Sequence, residues 1–370
     1  MKAYVYTDKS LERYAGRFVW LSINTEQAKN APFLEKYPIP ALPTLLVIDA
    51  TSDKVALRYV GGATVGQLRK LLDDAQKQVA GGGSNADSLL AEADRLASAG
   101  KTADAAAKYE AAIAAAPAKW SRFGRAAESL MFAISGEPER CTAMALKLYP
   151  RVKGTTSAAN VASTGLSCAT SGKDATAVTT LEKATREVFD NAKADLSGDD
   201  RSGLYIALID ARDYAKDEAG SRKLKEEWAS FLESAAAGAK TAEQRAVYDP
   251  HRLSAYLELG TPEKALPMLE QTERDFPDDY NPPARLAAAY RALKRYDEAL
   301  AASDRAMARI YGPRKLSVMT TRADIYLEKG DKDGARKTLT EAIAYAKSLP
   351  AQQRSERRIA NLQKKLDEIQ

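Results

Sequence analysis

The sequence predicts an α/β segment followed by an all-α solenoid of stacked helix pairs. Three stretches near the C-terminus are copies of one another: SAYLELGTPEKAL at 254–266, AAYRALKRYDEAL at 288–300 and ADIYLEKGDKDGA at 323–335. The small residues Ala265, Ala299 and Ala335 stand at the same place in each copy, 34 and 36 residues apart. A period of this length is typical of a helix pair that stacks on copies of itself.

The first 79 residues have a different pattern. Three apolar or β-branched runs occur there: FVWLSI (18–23), TLLVID (44–49) and VALRYV (55–60). Helical patterns at 26–37 and 64–79 separate and follow these runs. Strands alternating with helices predict an α/β segment over residues 1–79.

A run of glycines ends this segment. Gly81, Gly82 and Gly83 disfavour the interior of a helix or a strand, so they predict a flexible linker. The expected parts of the chain are therefore an α/β domain at 1–79, a linker at 80–86, helical repeats at 87–350 and a terminal capping helix at 351–370.

Further copies of the repeat precede the three clear ones, a strong match around Ala105 and weaker ones around Cys141 and Ala177. Ala105, Cys141 and Ala177 open a second helix at steps of 36 residues, and the stretch 200–247 is helical but off the period. About seven helix pairs fit between residues 86 and 349. The apolar face of one pair must be covered by the next pair, and Leu362 belongs to the apolar face of the predicted capping helix.

The C-terminal copies resemble the tetratricopeptide repeat. In that family a large residue on the first helix, a glycine at the turn and a small residue on the second helix recur at set offsets. Here Tyr256, Tyr290 and Tyr326 hold the large-residue position. The turn position is held by Gly260, Lys294 and Gly330. The resemblance implies stacked helix pairs that bind a protein or a peptide.

Residues 26–79 resemble the C-terminal part of a thioredoxin domain. The residues that carry the likeness are Tyr37, Ile39, Leu42, Pro43, Thr44, Gly61 and Gly62. In that family the proline of the Pro-Thr pair follows a cis peptide bond, so the resemblance implies a cis Leu42–Pro43 bond.

The thioredoxin resemblance is partial. The family places its first strands and its Cys-X-X-Cys motif before a helix that is similar to MKAYVYTDKSLERYAG, at the start of this chain. No cysteine precedes Cys141, so the thioredoxin-like part of this chain is expected to be redox-inactive. The natural precursor is expected to begin further upstream.

The two cysteines fall on the repeat template. Cys141 holds a small position at the start of a second helix, and Cys168 holds the large position of the next first helix. These positions face each other in adjacent pairs, so a Cys141–Cys168 disulfide is one interpretation. Two buried free cysteines are the other.

Composition excludes several function classes. The 55 basic and 50 acidic residues give a net charge of +5, which is too small for a nucleic-acid interface. No apolar run reaches the ~18–20 residues that span a membrane. His251 is the only histidine, and we expect no catalytic, cofactor-binding or metal-binding residues. The chain carries no signal segment, which indicates the cytoplasm, or a bacterial periplasm if an upstream segment is missing; the oligomeric state stays open.

Two segments break the repeat pattern, DFPDDYNPPARLAAAY at 275–290 and ARIYGPRKLSV at 308–318. Both place Tyr, Pro and Arg at junctions between repeats. The candidate peptide-binding residues are Tyr280, Asn281, Arg285, Tyr311 and Arg314. Tyrosine and arginine are favoured anchors at protein interfaces. The alternative is structural: the prolines start a helix and the tyrosines fill gaps between repeats.

Two functions remain open from the sequence. The first is a non-enzymatic protein–protein interaction scaffold, with the redox-inactive thioredoxin-like part as an accessory. The second is a thiol-disulfide oxidoreductase whose Cys-X-X-Cys lies upstream of this chain.

Overall fold

The computed structural model describes residues 1–81, 83–191 and 193–369. Gly82 of the predicted linker lies outside the described residues. The chain forms two compact units, one of residues 1–19 with 37–228 and one of residues 20–36 with 229–370. The boundaries predicted at 79, 86 and 350 stay predictions.

The described residues contain one small sheet, a two-stranded antiparallel one in the first unit. Strand β1 (Thr44–Asp49) pairs with β2 (Lys54–Val60). Helix α2 (Val65–Val79) follows the sheet. It begins with a capping box, in which Thr64 Oγ1 accepts from the Gln67 N–H and Gln67 Oε1 accepts from the Thr64 N–H.

The sheet and α2 share a core with the first residues of the chain. Tyr14 ends a 3-10 helix (Lys9–Tyr14) and is fully buried. Its hydroxyl donates to the Arg69 carbonyl oxygen at 3.0 Å and to Asp73 Oδ1 at 2.7 Å. Leu57, Leu68 and Leu72 pack in the same core, so the N-terminal residues are held to the sheet by apolar burial.

The strand predicted at 18–23 is wrong. These residues form no regular structure, and Val19 and Leu21 are 87% and 76% exposed. A β-branched run becomes a strand only where a neighbouring strand pairs with its backbone, and this run finds none among the described residues. The expected α/β domain is therefore reduced to a two-stranded hairpin with helices, and a thioredoxin fold is not shown. Of the helix expected at residues 1–16, only the 3-10 helix Lys9–Tyr14 is present.

The peptide bond between Leu42 and Pro43 is cis in the structure. It lies immediately before β1, and the Pro43 carbonyl oxygen accepts a hydrogen bond from the N–H of Gly61 at 2.9 Å.

Four helix pairs follow in chain order. They are α3 (Asn85–Ser98) with α4 (Thr102–Ala114), α5 (Phe123–Ile134) with α6 (Pro138–Val152), α7 (Ser157–Ser171) with α8 (Ala175–Phe189), and α9 (Gly198–Tyr214) with α10 (Glu218–Ala237). The last pair is the longer one that the off-period stretch predicts.

The second unit holds three more pairs. After the short helices α1 (Ala31–Lys36) and α11 (Ala242–Ala246) come α12 (Asp249–Leu259) with α13 (Ala265–Asp275), α14 (Asn281–Ala292) with α15 (Tyr296–Arg309), and α16 (Lys315–Lys329) with α17 (Lys332–Ser348). The terminal helix α18 (Glu356–Asp367) buries Leu362 against the last pair, in a core with Leu339 and Ile343.

The repeat spacing has a clear backbone basis. Gly260, Lys294 and Gly330 all adopt positive φ angles, between 58° and 88°, where the first helix of each pair ends. The left-handed conformation stops the helix and turns the chain toward the second helix. The three alanines that follow, Ala265, Ala299 and Ala335, are fully buried. The helical repeat architecture expected for the C-terminal copies is confirmed.

No helix within the described ranges has both the length and the apolar character needed to cross a bilayer.

Cys141 and Cys168 form a disulfide in the structure, with their Cα atoms 6.0 Å apart. It joins α6 to α7, the second helix of one pair to the first helix of the next. Both residues are buried. The bond therefore ties two adjacent pairs together inside the first unit.

We expect reduction of this disulfide to destabilise the first unit. Closing a loop with a sequence separation of 27 residues lowers the entropy of the unfolded chain and is worth roughly 3–4 kcal/mol. Urea unfolding followed by circular dichroism, with and without dithiothreitol, should show a lower midpoint in the reductant. The double variant Cys141→Ala/Cys168→Ala should lose stability and become insensitive to reductant. Equal midpoints in all samples would contradict the bond.

Candidate functional site

In the first unit, strand β2 lies against α3 and α5, the first helices of two adjacent pairs. The Arg58 N–H on β2 donates to Asp94 Oδ2 on α3 at 3.2 Å. Asp94 is fully buried and is held by Arg125 Nη1 on α5 at 2.6 Å and by the Tyr109 hydroxyl at 2.8 Å. A buried carboxylate with charged and hydroxyl donors is fully satisfied, so this contact fixes the edge of β2 on the repeats.

A second acidic group lies where β2 meets these helices. Burial raises the pKa of Glu128 on α5 to about 7, and the Asp200 carboxylate on α9 adds to the effect. Burial also raises the pKa of Asp200. Burial raises the pKa of Tyr59 on β2 as well, with the charges of Glu128 and Asp200 contributing. Three elements therefore bring ionisable groups to one place, where burial favours the neutral form of each.

We expect the stability of the first unit to fall as the pH rises from about 4.5 to about 7. In this window folded Glu128 keeps a proton that the unfolded chain, with the usual pKa of 4.5, has released. Urea midpoints at about pH 5 and about pH 8 should differ more in the wild type than in Glu128→Gln, which stays neutral. Glu139→Gln, at an exposed position on α6, is the matched control. The same pH dependence in all three proteins would rule out this role of Glu128.

The second unit has a pocket beside the start of α14. Its volume is about 270 Å³, and it opens between α14 and α16, the first helices of two adjacent pairs. The lining residues are Tyr280, Asn281, Ala284, Ala287, Ser303, Arg314, Ser317, Val318 and Thr321. Three of the five candidate residues, Tyr280, Asn281 and Arg314, therefore line one pocket.

Tyr280 and Asn281 stand where α14 begins. Asp279 Oδ1 accepts from both the backbone N–H and the side-chain amide of Asn281, at 2.9 and 2.7 Å. Pro282 follows in the first turn, where a missing N–H costs nothing. Across the pocket, Arg314 precedes α16 and its Nη1 lies 3.4 Å from the Tyr280 hydroxyl. The two helix starts thus present polar groups to one space.

Ser303 on α15 forms the floor of the pocket and is 1% exposed. Its hydroxyl has no hydrogen-bond partner among the described residues. The equivalent positions one repeat before and one repeat after are Leu269 and Leu339, both fully buried. The smaller serine leaves space where the other repeats are filled, and its unpartnered hydroxyl faces a buried site that requires a polar partner.

Arg285 is a half-buried residue on α14, and it does not line the pocket. Burial lowers the pKa of its guanidinium, while the charges of Asp249 and Asp279 act in the opposite direction. Within the described residues it makes neither a hydrogen bond nor an ion pair. Its charge and that of Arg314 act on each other, so two cations belong to this end of the helices.

Tyr311 and Arg314 contact residues near the start of the chain. The Tyr311 hydroxyl accepts from Asn24 Nδ2 at 2.8 Å. The Arg314 N–H donates to Glu26 Oε2 at 3.0 Å, and Arg314 Nε lies 3.3 Å from Glu26 Oε1. Tyr311 also borders a second, open depression with Gln27. Tyr311 is thus beside the pocket rather than in it.

Ser303, Asn24 and Glu26 were not among the residues predicted from the sequence. A signal for Ser303 was present, because a serine replaces the leucine of the neighbouring repeats. No sequence signal joins Glu26 to Arg314, which is 288 residues away.

Residues 280–348 match the family model described as tetratricopeptide repeat. This range includes every candidate peptide-binding residue and Ser303. Together with the repeat geometry it shows that the chain contains tetratricopeptide-type repeats. No curated protein sequence matches the chain.

Several solved structures are similar in fold. A tetratricopeptide repeat protein from Parabacteroides merdae has 12% sequence identity and a TM-score of 0.47, covering 76% of this chain and 98% of that one. BtubC from P. vanneervenii has 15% identity and a TM-score of 0.40, covering 59% and 91%. The TPR2AB domain of yeast Sti1, in a complex with pHSP90, has 17% identity and a TM-score of 0.30, covering 78% and 100%. TM-scores below 0.5 carry no information about a partner of this chain.

Proposed function

We propose that this protein is a non-enzymatic scaffold that binds an extended peptide segment of a partner protein on the α14–α16 face. The observation that carries the proposal is the pocket lined by Arg314 and by the buried Ser303 hydroxyl, which has no hydrogen-bond partner among the described residues. The half-buried Arg285 on α14 adds a second cation near Arg314. Tetratricopeptide repeats typically bind proteins or peptides, and residues 280–348 carry the match to that family.

The size of the pocket favours a peptide side chain over a small molecule or cofactor. Ligand pockets for small molecules usually measure about 300–1,000 Å³, and they enclose most of the ligand. The α14–α16 pocket is about 270 Å³ and open to solvent. It suits one or two side chains of a chain that continues along the helices.

The charge of the site indicates which side chains of a peptide it can bind. Arg285 and Arg314 supply two guanidinium groups, and Tyr280 and Ser303 supply hydroxyls. A guanidinium pairs with a carboxylate through charge-assisted hydrogen bonds, which are stronger than neutral ones. We therefore propose that the bound segment carries an acidic side chain.

Arg285→Ala/Arg314→Ala should weaken peptide binding at least about 10-fold, because arginine is enriched among the residues that dominate binding energy at interfaces. Random peptides displayed on phage would be selected on the wild type, and their dissociation constants measured by fluorescence anisotropy. Arg295→Ala/Arg336→Ala is the matched control. Each of these arginines forms an exposed ion pair with an acidic residue one helical turn away, and such pairs contribute little stability. Unchanged affinity in the Arg285/Arg314 variant would exclude this site.

Ser303→Leu separates binding from folding. Leucine is the residue of the neighbouring repeats at this position, so the variant should fold with unchanged or higher stability while the side chain fills the pocket. We expect the selected peptides to lose affinity and the urea midpoint to stay or rise. Full affinity in a well-folded Ser303→Leu protein would show that the ligand lies elsewhere.

A second proposal concerns residues 1–79. The proposed alternative is a thiol-disulfide oxidoreductase whose Cys-X-X-Cys lies upstream of this chain. The order β1, β2, α2 and the cis Leu42–Pro43 bond are the observations in its favour, and a two-stranded hairpin does not by itself show a thioredoxin fold. The same resemblance would make a bacterial periplasm the place of the protein. Residues 18–23 form no strand, which counts against a complete domain of this kind.

This chain by itself should not reduce insulin. Its two cysteines form a buried disulfide between helices α6 and α7, and neither can present an exposed thiolate. Turnover in an insulin-precipitation assay, compared with Cys141→Ala/Cys168→Ala, would contradict this expectation.

A further inference from the structure

Residues 24–26 rest on the loop that leads into α16. Besides its contacts with Arg314, this segment is held by Gln353, whose Nε2 donates to the Thr25 carbonyl oxygen at 2.8 Å. Within the segment Asn24 Oδ1 accepts from the Glu26 N–H at 2.9 Å. The segment is therefore ordered by hydrogen bonds at several points of its backbone and side chains.

The approach is close because of Gly312. This residue has a φ of +67°, and a Cβ there would overlap the carbonyl oxygen of Glu26. The Gly312 carbonyl oxygen also accepts from the Tyr345 hydroxyl at 3.2 Å. The glycine between Tyr311 and Arg314 thus leaves room for the backbone of Glu26 to lie against the loop.

The Glu26 carboxylate is placed as the acidic group of a ligand would be. Its side chain is only 16% exposed, while that of Arg314 is 48% exposed. It accepts from the Arg314 N–H at the start of α16, where the helix dipole favours a negative charge. Arg358 on α18 lies near enough for the charge of Glu26 to favour its protonated form, against the burial that lowers the Arg358 pKa. The other end of Arg314 points to Tyr280, which lines the pocket.

These contacts are of a kind that a competitor can replace. Residues 20–24 form no regular structure, and Trp20 and Leu21 are 47% and 76% exposed. The next buried anchors are Ala31 and Leu34 of α1, which packs against the 3-10 helix Ala351–Gln353. Between these two parts the segment is held by the hydrogen bonds of Thr25 and Glu26 and by the Glu26–Arg314 ion pair. Partly exposed ion pairs contribute little stability because water can replace them.

We infer that residues 24–26 act as an internal ligand of the α14–α16 site, with the Glu26 carboxylate holding Arg314 until an acidic segment of a partner displaces it. This inference rests on the function proposed above and adds its regulation. The internal ligand sets a threshold for the affinity of a partner. A partner contacts every residue of the site only when it displaces Glu26 from Arg314.

The threshold depends on the fraction of molecules in which Glu26 is dissociated from Arg314. A ligand that needs Arg314 binds only the fraction of molecules in which Glu26 has left, and its apparent dissociation constant rises by the inverse of that fraction. A segment tethered in the same chain has a high effective concentration, so even weak polar contacts keep the site mostly occupied.

The test uses the full chain and a labelled peptide with the sequence of residues 20–30. This peptide omits α1, whose place stays occupied in every variant. It should bind Asn24→Ala/Glu26→Ala at least about 10-fold more tightly than the wild type, because the internal copy no longer competes. A peptide with Glu26→Gln should bind weakly to the same variant, and adding Arg314→Ala to the variant should abolish binding of both. Glu35→Gln, an exposed change in the same part of the chain, should behave as the wild type.

Equal binding of the peptide to the wild type and to Asn24→Ala/Glu26→Ala would overturn the inference, because it would show that the internal segment does not compete. Absence of binding to that variant would also overturn it, because residues 20–30 would then not be a ligand. Neither result bears on the phage-selected peptides, whose loss in Arg285→Ala/Arg314→Ala tests the proposed function separately. In a second measurement, Arg314→Ala should increase amide hydrogen exchange of residues 24–30 in the otherwise intact chain; unchanged exchange would equally contradict the inference.

Discussion

Small side chains at the start of each second helix are the packing contact on which the repeats depend. Ala265, Ala299 and Ala335 are fully buried, and a larger residue at any of them would push the two helices of its pair apart. Each closed pair still has an apolar face that only the next pair can cover. The capping helix α18, with Leu362 buried, closes the last of these faces.

Beside the apolar faces used for stacking, the repeats present charged side chains on the first helices and just before them. In the first unit those side chains bind the chain itself: the buried Asp94 accepts a backbone N–H of β2, and Arg125 holds the carboxylate in place. In the second unit Arg314 holds the Glu26 carboxylate. Both contacts join a charged residue of the repeats to a distant part of the same chain, a strand in the first unit and a turn in the second.

Local spacing predicted the repeats well. Lys294 stands where the neighbouring copies have glycine, and it adopts the same left-handed turn with a φ of 58°. The run at 18–23 shows the opposite case. Its composition favours a strand, but a strand also needs a partner backbone, which composition does not describe. The prediction of a three-stranded α/β domain was therefore wrong, although both remaining strands were placed correctly.

The candidate site divides in the same way. Helix pairs, turns and buried small residues depend on neighbours within one period of the chain, so residue order alone accounts for them, and the Tyr and Arg residues at 280–314 stood out for the same reason. The cavity at Ser303 exists only because three helices surround a side chain shorter than leucine. The pairing of Glu26 with Arg314 joins residues 288 positions apart. Such contacts depend on how packed elements bring distant loops together, and no local pattern encodes that distance.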